Sequence, residues 1–341
     1  AVTSLDFSRD GKKLISGGRD HAVVLWDIAS GQAQFKNDTS FSQGIYQVRF
    51  GPEDQMIGVV SWERRQTAPY IMGFATVLDP VSGKEVKKID TEAHPAAGLV
   101  FSPDGKNMVV SCWGEITYSY HLESGQQNWN YDLSDPEEYN AFHSIALSPD
   151  GQTLLLGSTD KRIHVLDMNT GQLQRRLEPW EGHTKTVKSL QFSSDGKYFA
   201  SAGEDQTVYI WQTSDFSKKH SLIGHTGTVN SLAWSKDGEK LLSASADGSL
   251  RKWDLQEPFE VHYEVCDYGP WQLPLNKDNS LFAAPCSDKH IALYQISNGE
   301  MLHDFEGPSG LCGDISEDGK YLVTAGFDGI VRLWDIQKGE P

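Results

Sequence analysis

GHTKTVKSLQFSSDGKYFASAGEDQTVYIWQ, residues 182–212, is followed by GHTGTVNSLAWSKDGEKLLSASADGSLRKWD, residues 224–254. Both stretches space four side chains alike: His183, Ser201, Asp205 and Trp211, then His225, Ser243, Asp247 and Trp253, with gaps of 18, 4 and 6 residues in each. A reactive centre is not normally duplicated in this way, whereas a structural unit is. The pair therefore reads as two copies of one folding unit.

The unit recurs on either side of these copies. An Asp-Gly turn or its remnant follows an apolar run at Asp10-Gly11, Asp54, Asp104-Gly105, Asp150-Gly151, Asp195-Gly196, Asp237-Gly238, Asp278 and Asp318-Gly319, every 40 to 50 residues. Within one copy, Leu232–Trp234 reads as a first strand. Ser235-Lys236-Asp237-Gly238 turns the chain, since Asp and Gly favour tight hairpins. Leu241–Ala244 and Ser249–Trp253 alternate with period two as second and third strands, and residues 257–265 supply a weaker fourth. No stretch sustains a helical period. Eight four-stranded copies predict an all-β, eight-bladed β-propeller of antiparallel blades occupying residues 1–341 as a single domain.

These residues resemble the WD40-repeat family over essentially the whole chain. The Gly-His pair stands at Gly182-His183 and Gly224-His225, and the Trp-Asp pair at Trp26-Asp27, Trp253-Asp254 and Trp334-Asp335. The first copy keeps Ser16, Asp20 and Trp26; the eighth keeps Thr324, Asp328 and Trp334, with Pro308 near the His position. The others have drifted: Ser61 and Leu78 in the second, Ser111, Glu115 and His121 in the third, Asp160 and Leu166 in the fourth, Asp288 and Tyr294 in the seventh. The resemblance implies a structural tetrad in copies five and six, in which the Trp indole donates to Ser, Ser donates to His, and His donates to Asp. Such a chain satisfies polar groups that would each cost about 1–3 kcal/mol if orphaned. The competing reading of His183, Ser201 and Asp205 as a nucleophilic triad is opposed by the duplication and by the Trp at constant offset.

Composition narrows the function. The formal charge is −17, from 30 Lys+Arg against 47 Asp+Glu, without a basic run. That disfavours binding to a phosphate backbone, so no nucleic-acid partner is expected. No apolar run is long enough for a membrane-spanning helix, so no membrane insertion is expected. Cys112, Cys266, Cys286 and Cys312 form no CxxC pair and read as small buried thiols. There is no phosphate-binding glycine loop, HExxH or calcium-loop pattern, and the 11 His are scattered, His290 and His303 included. Neither cofactor nor metal is expected. A cytoplasmic setting is the working expectation.

The 18-residue offset places the His partner of Ser16 before Ala1, and the last copy has room for three strands before Pro341. We expect a last blade lacking its outer strand within this chain, and a longer parent protein that supplies it upstream.

Loops at one end of the blades are short and uniform: the Asp-Gly turns, and Ser30-Gly31, Ser82-Gly83, Ser124-Gly125, Thr170-Gly171, Asn298-Gly299 and Lys338-Gly339. The other end is variable. An insertion over residues 62–73 carries Trp62, Arg64, Arg65 and Tyr70, residue types enriched at binding hot spots. Beside it in the repeat order come Trp113, an acidic connection with Glu137, Glu138 and Tyr139, and a connection with Trp180. One reading is a composite surface over blades two to five that grips a protein or peptide. The other is an extended hairpin whose aromatics pack on neighbouring loops. Tyr46, Phe142, Tyr268 and Trp271, near other blade entrances, read as strand packing. The expected function is a non-enzymatic protein–protein interaction scaffold, in a multi-subunit complex or as a sensor domain of a larger protein. The alternative is an enzyme or cofactor-binding domain with a site in the central channel, for which no convergent polar residues are legible.

Overall fold

The computed structural model describes the chain except residues 1, 65, 67–70, 92–93, 115, 134–139, 256–259, 265–273, 277–279, 286–289, 297–299, 307–309, 317, 327 and 340–341. The described residues form eight small antiparallel sheets, the blades of an eight-bladed β-propeller. A 3-10 turn at Pro52–Asp54 is the one helical element among them. Blade five shows the plan. Val187–Phe192, Tyr198–Gly203, Thr207–Gln212 and Lys218–Ile223 pair in sequence order, each antiparallel to the last. The last blade has three strands, Gly310–Ile315, Tyr321–Gly326 and Val331–Asp335. Blade seven shows three among the described residues, Leu281–Pro285, His290–Gln295 and Met301–Glu306, plus a bridge from Leu275 to Phe282.

The chain divides into two compact units, residues 1–160 with 164–176, and residues 161–163 with 177–341. In each, the core lies between successive blades, because both faces of a blade are apolar. In the first unit, Ile15, Leu25, Val48 and Leu78 pack blade one on blade two, and Val60, Leu99, Val110 and Tyr118 pack blade two on blade three. In the second, Ala202, Ile210, Leu232 and Trp253 fill the space between blades five and six. Side chains of innermost strands reach across to the next blade's backbone: Asp6 accepts the Phe50 N–H at 2.6 Å, and Gln191 the Trp234 N–H at 3.2 Å.

The short turns between first and second strands hold themselves. Ser193 Oγ donates to Asp195 at 2.8 Å, Asp195 accepts the Lys197 N–H at 3.0 Å, and Gly196 takes φ 69°, which a β-carbon would resist. The same Ser–Asp pair recurs at Ser8–Asp10, Ser102–Asp104, Ser148–Asp150, Ser235–Asp237 and Ser316–Asp318. Blade two lacks it and turns instead through Glu53 and Asp54, both left-handed at φ 54° and 56°.

Strand register corrects the reading of two drifted copies. Phe199 opposes Trp211 in blade five, and Ser201 lies two residues further along its strand. In blade three the equivalent pair is Met108 and Tyr120, so the tetrad positions hold Val110 and Tyr120, not Ser111 and His121. A one-residue slip puts a side chain on the opposite face of the sheet. His121 instead caps the following turn, where its Nδ1 accepts the Ser124 N–H at 3.3 Å. In blade two Leu78 opposes Ile57, so the hydroxyl position is Val59 rather than Ser61.

Candidate functional site

The repeated His–Ser–Asp–Trp residues come together in both complete copies. In blade five, His183 Nδ1 lies 2.9 Å from Asp205 Oδ2, His183 Nε2 lies 2.8 Å from Ser201 Oγ, and Trp211 Nε1 donates to Ser201 Oγ at 2.8 Å. Blade six repeats this with His225–Asp247 at 2.9 Å, His225–Ser243 at 2.8 Å and Trp253–Ser243 at 2.8 Å. A carboxylate can only accept, so Nδ1–H donates to Asp, leaving Nε2 to accept the Ser hydroxyl. Burial pushes the Asp205 carboxyl up, but the His183 hydrogen bond and charge and the Thr184 and Thr207 N–H groups outweigh it, leaving it below the usual carboxylate value. Asp247 is likewise lowered against burial, by Ser249, the Thr226 and Ser249 N–H groups and His225. Ser201 and Ser243 are fully buried, each beneath an indole, so no substrate can approach either hydroxyl.

Trp26 bonds to Ser16 at 2.9 Å in blade one, and Trp334 to Thr324 at 2.9 Å in blade eight. In the drifted blades the same positions hold apolar or aromatic pairs such as Leu156 with Leu166 and Ala284 with Tyr294, all buried. Blade four rebuilds part of the polar chain differently. His164, from the third strand Ile163–Asp167, lies with Nε2 3.0 Å from Asp160 Oδ2 and Nδ1 3.0 Å from the hydroxyl of Tyr131 on blade three's outer strand. The 160–164 spacing on one hairpin was the signal available for it.

The insertion in blade two is an extended hairpin. Its strands Ile57–Arg64 and Ile71–Leu78 pair through Trp62–Gly73, Glu63–Met72 and Arg64–Ile71. Its base is anchored: Thr91 N–H donates to the Gly73 carbonyl at 3.0 Å, and a β-carbon at Gly73 would meet the His94 carbonyl and lie 2.5 Å from the Ala96 amide. Trp62 is half-buried, with its Nε1 against Gly44, which also adjoins Arg19 of blade one's turn. Two residues beyond Gly44, Tyr46 meets Trp113 of blade three's turn with ring centroids 5.4 Å apart at 50°. Burial raises the Tyr46 phenol pKa while the Arg19 charge opposes that rise, which places the guanidinium in its field. Arg19, Arg64 and Trp113 are solvent-exposed. Arg19, Tyr46, Trp62 and Trp113 thus form one partly exposed aromatic and cationic surface over blades one to three.

The sequence places Trp62, Arg64 and Trp113 at this end and marks Tyr46 as strand packing, which its position against the core of blades two and three bears out; it gives no sign of Arg19. Phe142 is fully buried core, as read. Arg65, Tyr70, Glu115, Glu137, Glu138, Tyr139, Tyr268 and Trp271 lie outside the described residues. Trp180 belongs to the second unit and is 80% exposed. Cys112 and Cys312 are buried, and burial pushes each thiol up to about 12; Cys266 and Cys286 lie outside the described residues. Among the described residues no three His, Cys, Asp or Glu side chains converge as a metal site requires, and no helix is long and apolar enough to cross a membrane.

The family model "WD domain, G-beta repeat" matches residues 1–27, 172–212, 216–254 and 299–335. Over 213 residues, 62% of this chain, the sequence is 26% identical to the serine-threonine kinase receptor-associated protein of Gallus gallus, and the match covers 55% of that protein. It is 28% identical over 214 residues to protein groucho of Drosophila melanogaster, covering 27% of that protein. The chain thus matches about half the length of the first of these relatives and about a quarter of the second. The crystal structure of the computationally designed Ika8 protein superposes with a TM-score of 0.81 at 21% identity, covering 98% of this chain and 96% of that one.

Proposed function

This chain belongs to the WD40-repeat β-propeller family, and from that premise we propose that it is a non-enzymatic scaffold that grips a protein or peptide partner through Arg19, Tyr46, Trp62 and Trp113. The observation that carries this reading is the convergence of those four residues from three blades onto one partly exposed surface. Trp, Tyr and Arg are enriched at interface hot spots, the aromatics because they bury large areas at small conformational cost and Arg because its planar guanidinium offers several donors at once. Trp62 and Tyr46 stand on paired strands, and the base of the blade-two hairpin is anchored at Gly73, so little ordering accompanies docking. The tetrads argue against the central-channel alternative, since these complete polar constellations are sealed inside blades.

Protein relatives give the reading its class. One matched relative is named for association with a serine-threonine kinase receptor, and the partner of this chain is proposed only as a protein or peptide segment. A role as the regulatory domain of a larger polypeptide is part of the same proposal.

The test is recovery of bound partners by the full chain and by Trp62→Ala/Trp113→Ala. The expected result is loss of a specific partner with an unchanged melting temperature. An early melt of the variant would instead assign these aromatics to packing, and unchanged recovery with an unchanged melt would remove the surface from the account.

A further inference from the structure

In the second unit, Glu178-Pro179-Trp180-Glu181-Gly182 leads into the strand Val187–Phe192. These residues close on themselves. Glu181 N–H donates to the Glu178 carbonyl at 2.9 Å, and Glu178 N–H donates to the Glu181 carboxylate at 3.0 Å. Arg162 Nε–H donates to the Glu178 carboxylate at 2.7 Å, fixing the upstream end within the same unit. The downstream end is seated on the tetrad of blade five. A β-carbon at Gly182 would stand 2.8 Å from the Trp211 ring, and the next residue, His183, is bound to Asp205 and Ser201. Pro179 fixes one further backbone angle.

The side chain carried by this fixed turn is Trp180, 80% exposed and the most exposed large hydrophobic residue among those described. Scattered exposed apolar residues are ordinary, but they are not usually mounted on a turn bonded at both ends. Such a mount removes the ordering cost of docking. The Glu178 and Glu181 carboxylates are engaged within the turn, and it is the chain's net charge of −17 that selects against a cleft of the same sign.

We propose that Trp180 is a preset anchor for a protein partner, inserting into an apolar cleft bordered by Lys or Arg side chains that complement the acidic chain. This inference rests on the partner-binding reading above but on different residues. The indole N–H calls for one acceptor inside the cleft. A second copy of this chain would bring like charge against like and is the disfavoured occupant.

The experiment places the photo-crosslinking residue p-benzoylphenylalanine at position 180 of the full chain, maps the crosslinked peptide, and measures the affinity of that purified partner. Expected are crosslinks confined to an apolar cleft edged by Lys or Arg, at least tenfold weaker binding by Trp180→Ala with an unchanged melt, partial retention by Trp180→Phe, and weaker binding at high salt. No crosslink, a crosslink between two copies of this chain, or full affinity in Trp180→Ala overturns the proposal. A partner lost in Trp62→Ala/Trp113→Ala yet bound normally by Trp180→Ala sinks this inference alone; a partner indifferent to both variants sinks both readings.

Discussion

Ser201 Oγ takes the Trp211 indole N–H and faces His183 Nε2, both at 2.8 Å, with no solvent to replace it. Ser201→Ala therefore orphans two buried groups, and each unmet group costs about 1–3 kcal/mol. A melting temperature lowered by several degrees is expected, with Ser243→Ala behaving alike; a melt equal to wild type would remove the tetrad from the stability account. Asp6 is the opposite case. Burial outweighs Arg49 and the Phe50 N–H, with Asp54 adding to the rise, and lifts its pKa from 3.8 to about 6. Its folded pKa lies above the unfolded one, so the stability it permits is full below pH 3.8 and is lost as pH rises through 6. Asp6→Asn should match wild type near pH 4 and melt higher at pH 7, as thermal melts across that range would show. Equal melts at both pH values would contradict it. At this scale the complete tetrads were legible because their four residues keep one spacing. The third blade was misread by one position because Ser111 and His121 stand the same ten residues apart as Val110 and Tyr120, so that gap alone did not fix the register. The Asp160–His164–Tyr131 chain was missed because Tyr131 comes from another blade.

At the scale of the element, the blade-two hairpin shows how an insertion is absorbed. It lengthens two strands to eight residues each and stays in register. Its base depends on Gly73, where any side chain collides with the backbone of residues 94–96. Gly73→Ala should destabilise by about 1–3 kcal/mol, as overpacking does, and should speed proteolysis within residues 62–73. Unchanged cleavage there would show that the hairpin is not held at this point. The packing reading of the insertion holds for Trp62, which lies against Gly44, while its partly exposed face is what the proposed partner surface uses. Strand positions were readable from alternation and Asp-Gly turns. The contact of Tyr46 with Trp113 was not: Tyr46 packs on the core between blades two and three, as its place in a strand implies, and the ring contact joins two different repeats.

For the whole molecule, eight blades could be counted from turns spaced every 40 to 50 residues, because each blade needs one tight reversal and only a few residue types make it. The candidate surface had no such marker. Tyr46 and Trp113 lie in different repeats and meet only once blades two and three stack. On the proposed function, stability belongs to the repeated buried residues and recognition to the unrepeated exposed ones. The most direct measurement is the affinity of one purified partner for Ser201→Ala and for Trp62→Ala/Trp113→Ala, at a temperature where both are folded. Near-wild-type affinity in the first and at least tenfold loss in the second is predicted; the reverse order would contradict the division of roles.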